Sequence, residues 1–394
     1  MTKYAVVLGD GMADYPIDSL AGRTPLAAAR KPCMDSLADR AVRYGLVQTT
    51  VRHLPAGSDV ANLSVMGYDP EKFYGGRGPL EAASMGVELR PGDVAFRCNL
   101  ITADDAIVDY SAGHVTTAEA GELIRFLNAR LGREGLMFYP GISYRHLLVI
   151  DGCPPGIECT PPHDVVGQPV EDNLPKGPGS GEIIRLIEAS RELLPDHPVN
   201  KKRVAAGRRP ANSIWPWGQG RMPSMSTFRE KFGLDGAVIS AVDLIKGLGV
   251  FAGLKVIEVP GATGYLDTDY GAKARYALKA LERSDFVFVH VEAPDEASHE
   301  GRLAEKVRAI EDLDAKLVCP LLDGLGKLGE FRLMILPDHP TPLSTRTHAY
   351  DPVPYIIYDS RYNIKNNKRY DEASMADGQF VEHGHDLMSM FING

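Results

Sequence analysis

The stretch Arg332-Leu333-Met334-Ile335-Leu336-Pro337-Asp338-His339-Pro340 begins as an apolar run fit for a strand covered on both faces. It ends in a carboxylate and an imidazole held between two prolines, for which packing in a core gives no reason. Two other apolar runs finish in a similar way. Residues 4–9 lead into Asp10, and residues 286–291 lead into Glu292-Ala293-Pro294-Asp295. In an open parallel sheet, ligands bind beyond the carboxyl ends of the strands. The pattern therefore predicts strands that deliver aspartates to one place. Carboxylates gathered without a cation repel one another, so one metal ion or more is expected there.

Around these runs, short β-branched segments alternate with amphipathic ones, the rhythm of an α/β protein with a mostly parallel sheet. Strands are expected at 4–9, 45–51, 96–101, 136–139, 145–150, 255–259, 286–291, 333–336 and 355–358, and helices at 25–42, 117–131, 182–194, 272–282 and 302–325. In the last of these, Leu303, Val307, Ile310, Leu313, Leu317 and Leu321 recur every three or four positions, and Asp312 precedes Lys316 by four. Between 95 and 212 the strand-then-helix rhythm gives way to an α+β pattern. The expected organisation is a core from 1–94 and 213–394 with an inserted smaller domain at 95–212. Within the insert, the Pro- and Gly-rich stretch 159–181 is too long for a simple connector and reads as either a disordered loop or, preferred here, a cover over a site.

A chain of 394 residues that is 44% apolar and 24% charged can bury a large core. Its apolar runs all fall short of the roughly 18 residues that a membrane span needs. The first ten residues enter a strand with no signal segment, so a cytoplasmic protein is expected. The five cysteines are scattered and odd in number, which suits reduced thiols, and none forms the close pair of a zinc ribbon. The net charge of −9 argues against a nucleic-acid partner. A small anionic substrate would need a local cationic pocket. The sequence sets no oligomeric state.

Asp295 and His299 are four apart and share a face if they open a helix. His339 directly follows Asp338, and His348 precedes the last expected strand. Mixed carboxylate and imidazole donors suit manganese, zinc or iron better than magnesium. Taken singly, Asp10 reads as a turn former and His299 as a surface or core histidine; their joint placement gives them weight. Ser58, in Ala56-Gly57-Ser58-Asp59-Val60-Ala61-Asn62, stands at an expected helix start. It reads equally as a cap or as a nucleophile placed where free amides favour a phosphate. A bound metal could activate such a hydroxyl without a histidine base.

These motifs resemble the cofactor-independent (2,3-bisphosphoglycerate-independent) phosphoglycerate mutases of the archaeal type, within the alkaline phosphatase superfamily. The resemblance runs through Val7-Leu8-Gly9-Asp10-Gly11-Met12, Gly57–Asn62, Gly75-Gly76-Arg77-Gly78-Pro79-Leu80, Phe96-Arg97-Cys98-Asn99, Pro260-Gly261-Ala262-Thr263-Gly264, the Asp295/His299 pair, Asp338-His339 and the His348 stretch. It implies an alkaline phosphatase-like parallel-sheet core with an inserted α+β domain that closes to exclude water. It further implies two divalent metals, manganese first, with zinc or magnesium as alternatives. Asp295, His299 and His348 would hold one metal, and Asp10, Ser58, Asp338 and His339 the other. Ser58 would carry the phosphoryl group between 3-phosphoglycerate and 2-phosphoglycerate, a step of glycolysis and gluconeogenesis. Arg77, His114, Arg145 and Lys246 are the candidates for gripping this small phosphorylated substrate. One departure stands at Ile214-Trp215-Pro216-Trp217-Gly218-Gln219-Gly220, where such mutases carry an arginine before a Gly-x-Gly stretch. With His290–His299, this variant resembles a bacterial branch proposed to act as homoserine kinases, which leaves the phosphoryl acceptor open. A homoserine kinase-like phosphotransferase and a metal-dependent phosphatase are the alternatives.

Overall fold

A computed structural model describes residues 2–394 and divides the chain into two compact units. One unit joins the N-terminal segment up to Tyr74 with Ser224–Gly394; the other is Gly75–Pro223. Strands β1 (Lys3–Gly9) and β2 (Arg43–Val47) come first, then β3 (Asp93–Ala103), β4 (Ile107–Asp109), β5 (Leu136–Tyr139), β6 (Arg145–Asp151) and β7 (Ser213–Gly220) in the second unit. The chain returns to the first unit with β8 (Gly236–Ile239), β9 (Lys255–Val256), β10 (Phe286–Val291), β11 (Phe331–Leu336), β12 (Val353–Asp359) and β13 (Gln379–Val381).

The first unit is built on an eight-stranded sheet in the order β13-β2-β12-β11-β1-β10-β8-β9. β1 lies between β10 and β11 and runs parallel to both, with Gly9 opposite Val291 and Leu8 opposite Leu336. β12 runs against its neighbours β11 and β2, which makes the sheet mostly parallel rather than wholly so. β10 and β11 are buried along their length and β1 from Ala5 onward, as strands covered on both faces must be. Val7, Val289 and Ile335 meet Ile310, Leu317 and Leu321 in the core. Each such side chain contributes roughly 1.5–3 kcal/mol when fully buried.

Proline shapes the helices here. The expected helix at 25–42 is two, Pro25–Ala28 and Pro32–Asp39, because a residue before proline is pushed out of the helical region. The expected helix at 302–325 runs Leu303–Leu313, widens into a π-helical turn at Asp314–Val318, and continues as Cys319–Leu328. Pro320 has no amide to donate into the preceding turn, which accounts for the break in the α-ladder. The Asp312–Lys316 ion pair forms, at 2.8 Å. Cys33 and Cys319 form a disulfide, which corrects the expectation of five reduced thiols. They are 286 residues apart in sequence, but their Cα atoms are 5.6 Å apart in space. Asp314 draws the two helix starts together, accepting the amides of Cys33 at 3.1 Å and Met34 at 2.7 Å. Among the described residues, no helix is long and apolar enough to cross a membrane.

In the second unit β3 pairs antiparallel with β6 on one side and β7 on the other, and its end pairs antiparallel with β4. The helices Thr117–Leu131 and Ser180–Leu193 bury Leu123, Leu127, Ile183 and Ile187 against the sheet. The unit is wider at both ends than the expected 95–212. The helix Arg77–Ser84 packs on β3 and β7, and β7 itself, hidden in the sequence by Pro216, Gly218 and Gly220, pairs along β3. The stretch 159–181 is tied into this unit rather than lying free over it. Gly167 N–H bonds Ile107 O at 2.8 Å, Val170 N–H bonds Asp105 O at 2.9 Å, and Val165 and Val170 are buried in its core.

Candidate active site

Asp10, Glu292 and Asp338 stand just past the carboxyl ends of the adjacent strands β1, β10 and β11. Ser58 Oγ lies 3.2 Å from Asp10 Oδ2 and 3.1 Å from His339 Nε2. His339 Nε2 is itself 3.5 Å from Asp10 Oδ1 and 3.4 Å from Asp338 Oδ2. Asp338 is aimed by amides: its Oδ1 accepts from Gly11 N–H at 3.1 Å and His339 N–H at 2.9 Å. Asn62 donates both to Asp338 Oδ2, at 2.8 Å, and to Ser58 O, at 2.9 Å. Gly11 has φ +58°, and a Cβ there would fall 2.4 Å from Asp295 Oδ1, so only glycine lets the loop approach so closely.

Pro340 bridges to Met12 and Ala13, which ties the Asp338-His339 turn to the loop after β1. Lys306, fully buried, pins the same two segments through Ala13 O (3.3 Å), Thr341 O (3.0 Å) and Asp14 Oδ2 (2.8 Å).

A second group lies on the helix Ala293–His299 and the loop before β12. His299 Nε2 is 3.0 Å from Asp295 Oδ2 and 3.1 Å from His348 Nε2, while His348 Nε2 is 3.7 Å from Asp295 Oδ1. His299 Nδ1 donates to Arg346 O at 2.9 Å, which directs Nε2 toward Asp295 and His348. Thr341 joins the groups: its hydroxyl is 2.5 Å from Asp295 Oδ1 and 3.2 Å from His339 Nδ1. The His339 and His348 rings have centroids 4.1 Å apart. All of Asp10, Ser58, Asp295, His299, Asp338, His339 and His348 thus share one cluster beyond the carboxyl ends of the central strands.

The protein alone leaves this cluster electrostatically uneven. Burial, then Asp338 and Asp295, push the Asp10 carboxyl well above its usual range. Burial raises Asp295 as well, but hydrogen bonds from His299 and His348 outweigh it and hold the carboxyl well below its ordinary value. In return Asp295 holds the His299 proton up to about 9. The donors form two sets, Asp10/Asp338/His339 and Asp295/His299/His348, in each of which the ligand atoms all lie within 4.8 Å of one another. Buried carboxylates facing each other, and two imidazole nitrogens facing each other at 3.1 Å, are the donor arrangement a divalent cation would satisfy. Ser58, half-buried, is the first residue of the helix Ser58–Val65, where unpaired amides and the helix dipole favour an anion.

The cationic candidates fare differently. Lys246, on the helix Asp243–Phe251, spends its ammonium on Glu258 at 2.8 Å. In the second unit, Arg77 and Arg145 stand near enough to Arg97 to depress its pKa, after burial and against the opposing pull of Glu81. Arg97 pairs with Glu81 at 2.8 Å and lies over the Trp217 ring at 4.3 Å, and His163 meets the same ring at 5.2 Å. His114 is exposed with φ +49°, and its side chain has no hydrogen bond or ion pair among the described residues. The sequence reading missed Arg97, His163 and Trp217. The one available signal was a charge in the middle of an apolar strand, inside Phe96-Arg97-Cys98.

Known proteins resemble this chain along its whole length. A family model described as 2,3-bisphosphoglycerate-independent phosphoglycerate mutase matches residues 40–200. The 2,3-bisphosphoglycerate-independent phosphoglycerate mutase of Methanosarcina acetivorans is 54% identical over 395 residues, covering 99% of either chain. Among solved structures, a protein from Pyrococcus horikoshii superposes with a TM-score of 0.85 at 30% identity, covering 100% of this chain and 97% of that one. The cofactor-independent phosphoglycerate mutase from Thermoplasma acidophilum gives 0.69 at 29% identity, covering 100% and 99%.

Proposed function

This chain belongs to the 2,3-bisphosphoglycerate-independent phosphoglycerate mutase family, and from that premise we propose that it interconverts 3-phosphoglycerate and 2-phosphoglycerate through a phosphoserine at Ser58. The observation that carries this reading is the setting of the Ser58 hydroxyl, within 3.2 Å of Asp10 and 3.1 Å of His339 at a helix N-terminus. Asp10, Asp338 and His339 with Ser58 would hold one divalent cation, and Asp295, His299 and His348 a second. We assign manganese to both, on the mixed oxygen and nitrogen donors. When bound, such ions neutralise phosphoryl oxygens and lower the pKa of the hydroxyl.

The chain's own groups account for the rest. Ser58 Oγ loses its proton and forms a bond to phosphorus as the bond to the 3-oxygen of the glycerate breaks and that oxygen takes up a proton. The 2-hydroxyl of the same glycerate then takes the phosphoryl group from Ser58, whose oxygen recovers its proton. Asn62 holds Asp338 and the Ser58 backbone in one frame, so the nucleophile and a ligand move together. In the second unit we assign anion recognition to Arg77 and Arg145, with Arg97 anchored beneath them by Glu81 and Trp217.

The departure at Ile214–Gly220 left a homoserine kinase in view, yet the relatives compared carry the mutase name. A parallel assay separates the two. Metal-stripped protein given manganese should convert 3- to 2-phosphoglycerate without added bisphosphoglycerate, and should leave homoserine and ATP unreacted. Failure of the first reaction together with ATP-dependent phosphorylation of homoserine would reverse the assignment.

A further inference from the structure

We infer that His290 is a positioning residue for Asp10, and that Ser240 fixes the tautomer in which it acts, so that the pair aims the Asp10 carboxylate at the cation it shares with Ser58, Asp338 and His339. The inference rests on the reading of that site as a metal site.

His290 is the fifth residue of β10, whose other members are Phe286, Val287, Phe288, Val289 and Val291, and it is fully buried. An imidazole inside such a strand costs free energy unless both nitrogens find partners. Both do: Nε2 is 2.9 Å from Asp10 Oδ2, and Nδ1 is 3.2 Å from Ser240 Oγ. A carboxylate only accepts and a neutral imidazole carries one N–H, so the proton belongs on Nε2 and Nδ1 must accept. Ser240 can supply that hydrogen, because its oxygen already takes the amide of Val242 at 3.0 Å and its own O–H is left to donate. The backbone locks the arrangement. Leu8 pairs with His290 across the β1–β10 ladder, Asp10 N–H bonds Val291 O at 2.9 Å, and the buried Lys273 ammonium donates to His290 O at 2.9 Å. With Oδ2 bonded to His290 on one side, Asp10 presents its remaining lone pairs to Ser58, at 3.2 Å, and to His339, at 3.5 Å from Oδ1.

The test is binding of manganese alone to metal-stripped protein, followed by calorimetry. His290→Ala should weaken one of two binding steps about 10–100-fold, the usual cost of removing a ligand's hydrogen-bond partner, and leave the other step unchanged. His290→Gln keeps an N–H that reaches Asp10 and should restore most of the loss; Ser240→Ala should give an intermediate one. If His290→Ala does not fold, the Gln and Ser240 variants still decide. Wild-type affinity at both steps in His290→Ala, or in Ser240→Ala when the alanine variant is unfolded, would overturn the inference, as would a glutamine variant no better than alanine. Wild-type protein that binds no divalent cation would instead overturn the reading of the site itself.

Discussion

Ser58 left two readings open in the sequence, cap or nucleophile, and its hydrogen bonds count against the first. The cap position is Gly57, and the Ser58 hydroxyl makes no bond to the helix amides but turns to Asp10 and His339. Ser58→Ala should therefore abolish turnover and phosphoenzyme while shifting stability by less than about 0.5 kcal/mol, read as an unchanged melting temperature. A large fall in melting temperature would return Ser58 to a structural role. Asp10, Asp338, His339 and the Asp295/His299 pair were legible because strand ends and an i,i+4 spacing are local patterns. Arg97 and His290 were not. Each is a polar residue inside an apolar strand, and only the partners brought by the fold, Glu81 and Trp217 for one, Asp10 and Ser240 for the other, show why it is tolerated.

The segments around the site are held by a few buried links. Lys306→Ala should cost about 3–5 kcal/mol, because it leaves Asp14 buried without its cation and frees the loops that carry Asp10 and Asp338. Urea midpoints would show it, and a shift below about 1 kcal/mol would contradict the pinning role. Cys33→Ser should lower stability by about 2–4 kcal/mol under oxidising conditions and by much less with reductant present. Five reactive thiols in unreduced, denatured protein would mean that the bridge does not form. On the β11–β12 ladder Arg332 faces Asp359 and bonds it at 2.7 Å, and Arg361 bonds the same carboxylate at 2.6 Å. Burial raises the Asp359 carboxyl, but the Arg361 and Arg332 hydrogen bonds prevail and hold it at about 2. A carboxyl held below its unfolded value stabilises above that value, and the contribution is lost as pH falls through the folded pKa. Asp359→Asn should thus be less stable than wild type at pH 7, with the gap closing from roughly pH 4 down to 2. The helix at 302–325 was legible from its periodicity, whereas its π-helical turn and the disulfide beside it depend on contacts between helix starts far apart in sequence.

The alternation of apolar runs and amphipathic stretches was enough to read a mostly parallel sheet with an α+β insert. The limits of the insert were not, because Pro216 and the glycines of β7 erase the alternation a strand normally shows, and the helix at Arg77–Ser84 reveals its allegiance only by packing on β3. Stripping metal with a chelator should lower the melting temperature, and manganese should restore it in proportion to its concentration, since a ligand that binds only the folded state stabilises it by mass action. No change on stripping would argue against both metal sets. The most direct measurement is to incubate manganese-loaded protein with 3-phosphoglycerate, quench it and map the phosphoryl group by peptide mass spectrometry. One phosphoryl group on the Ser58 peptide, absent from Ser58→Ala, is the predicted result. A phosphoryl group on another residue, or a Ser58→Ala enzyme that still interconverts the two phosphoglycerates, would contradict it.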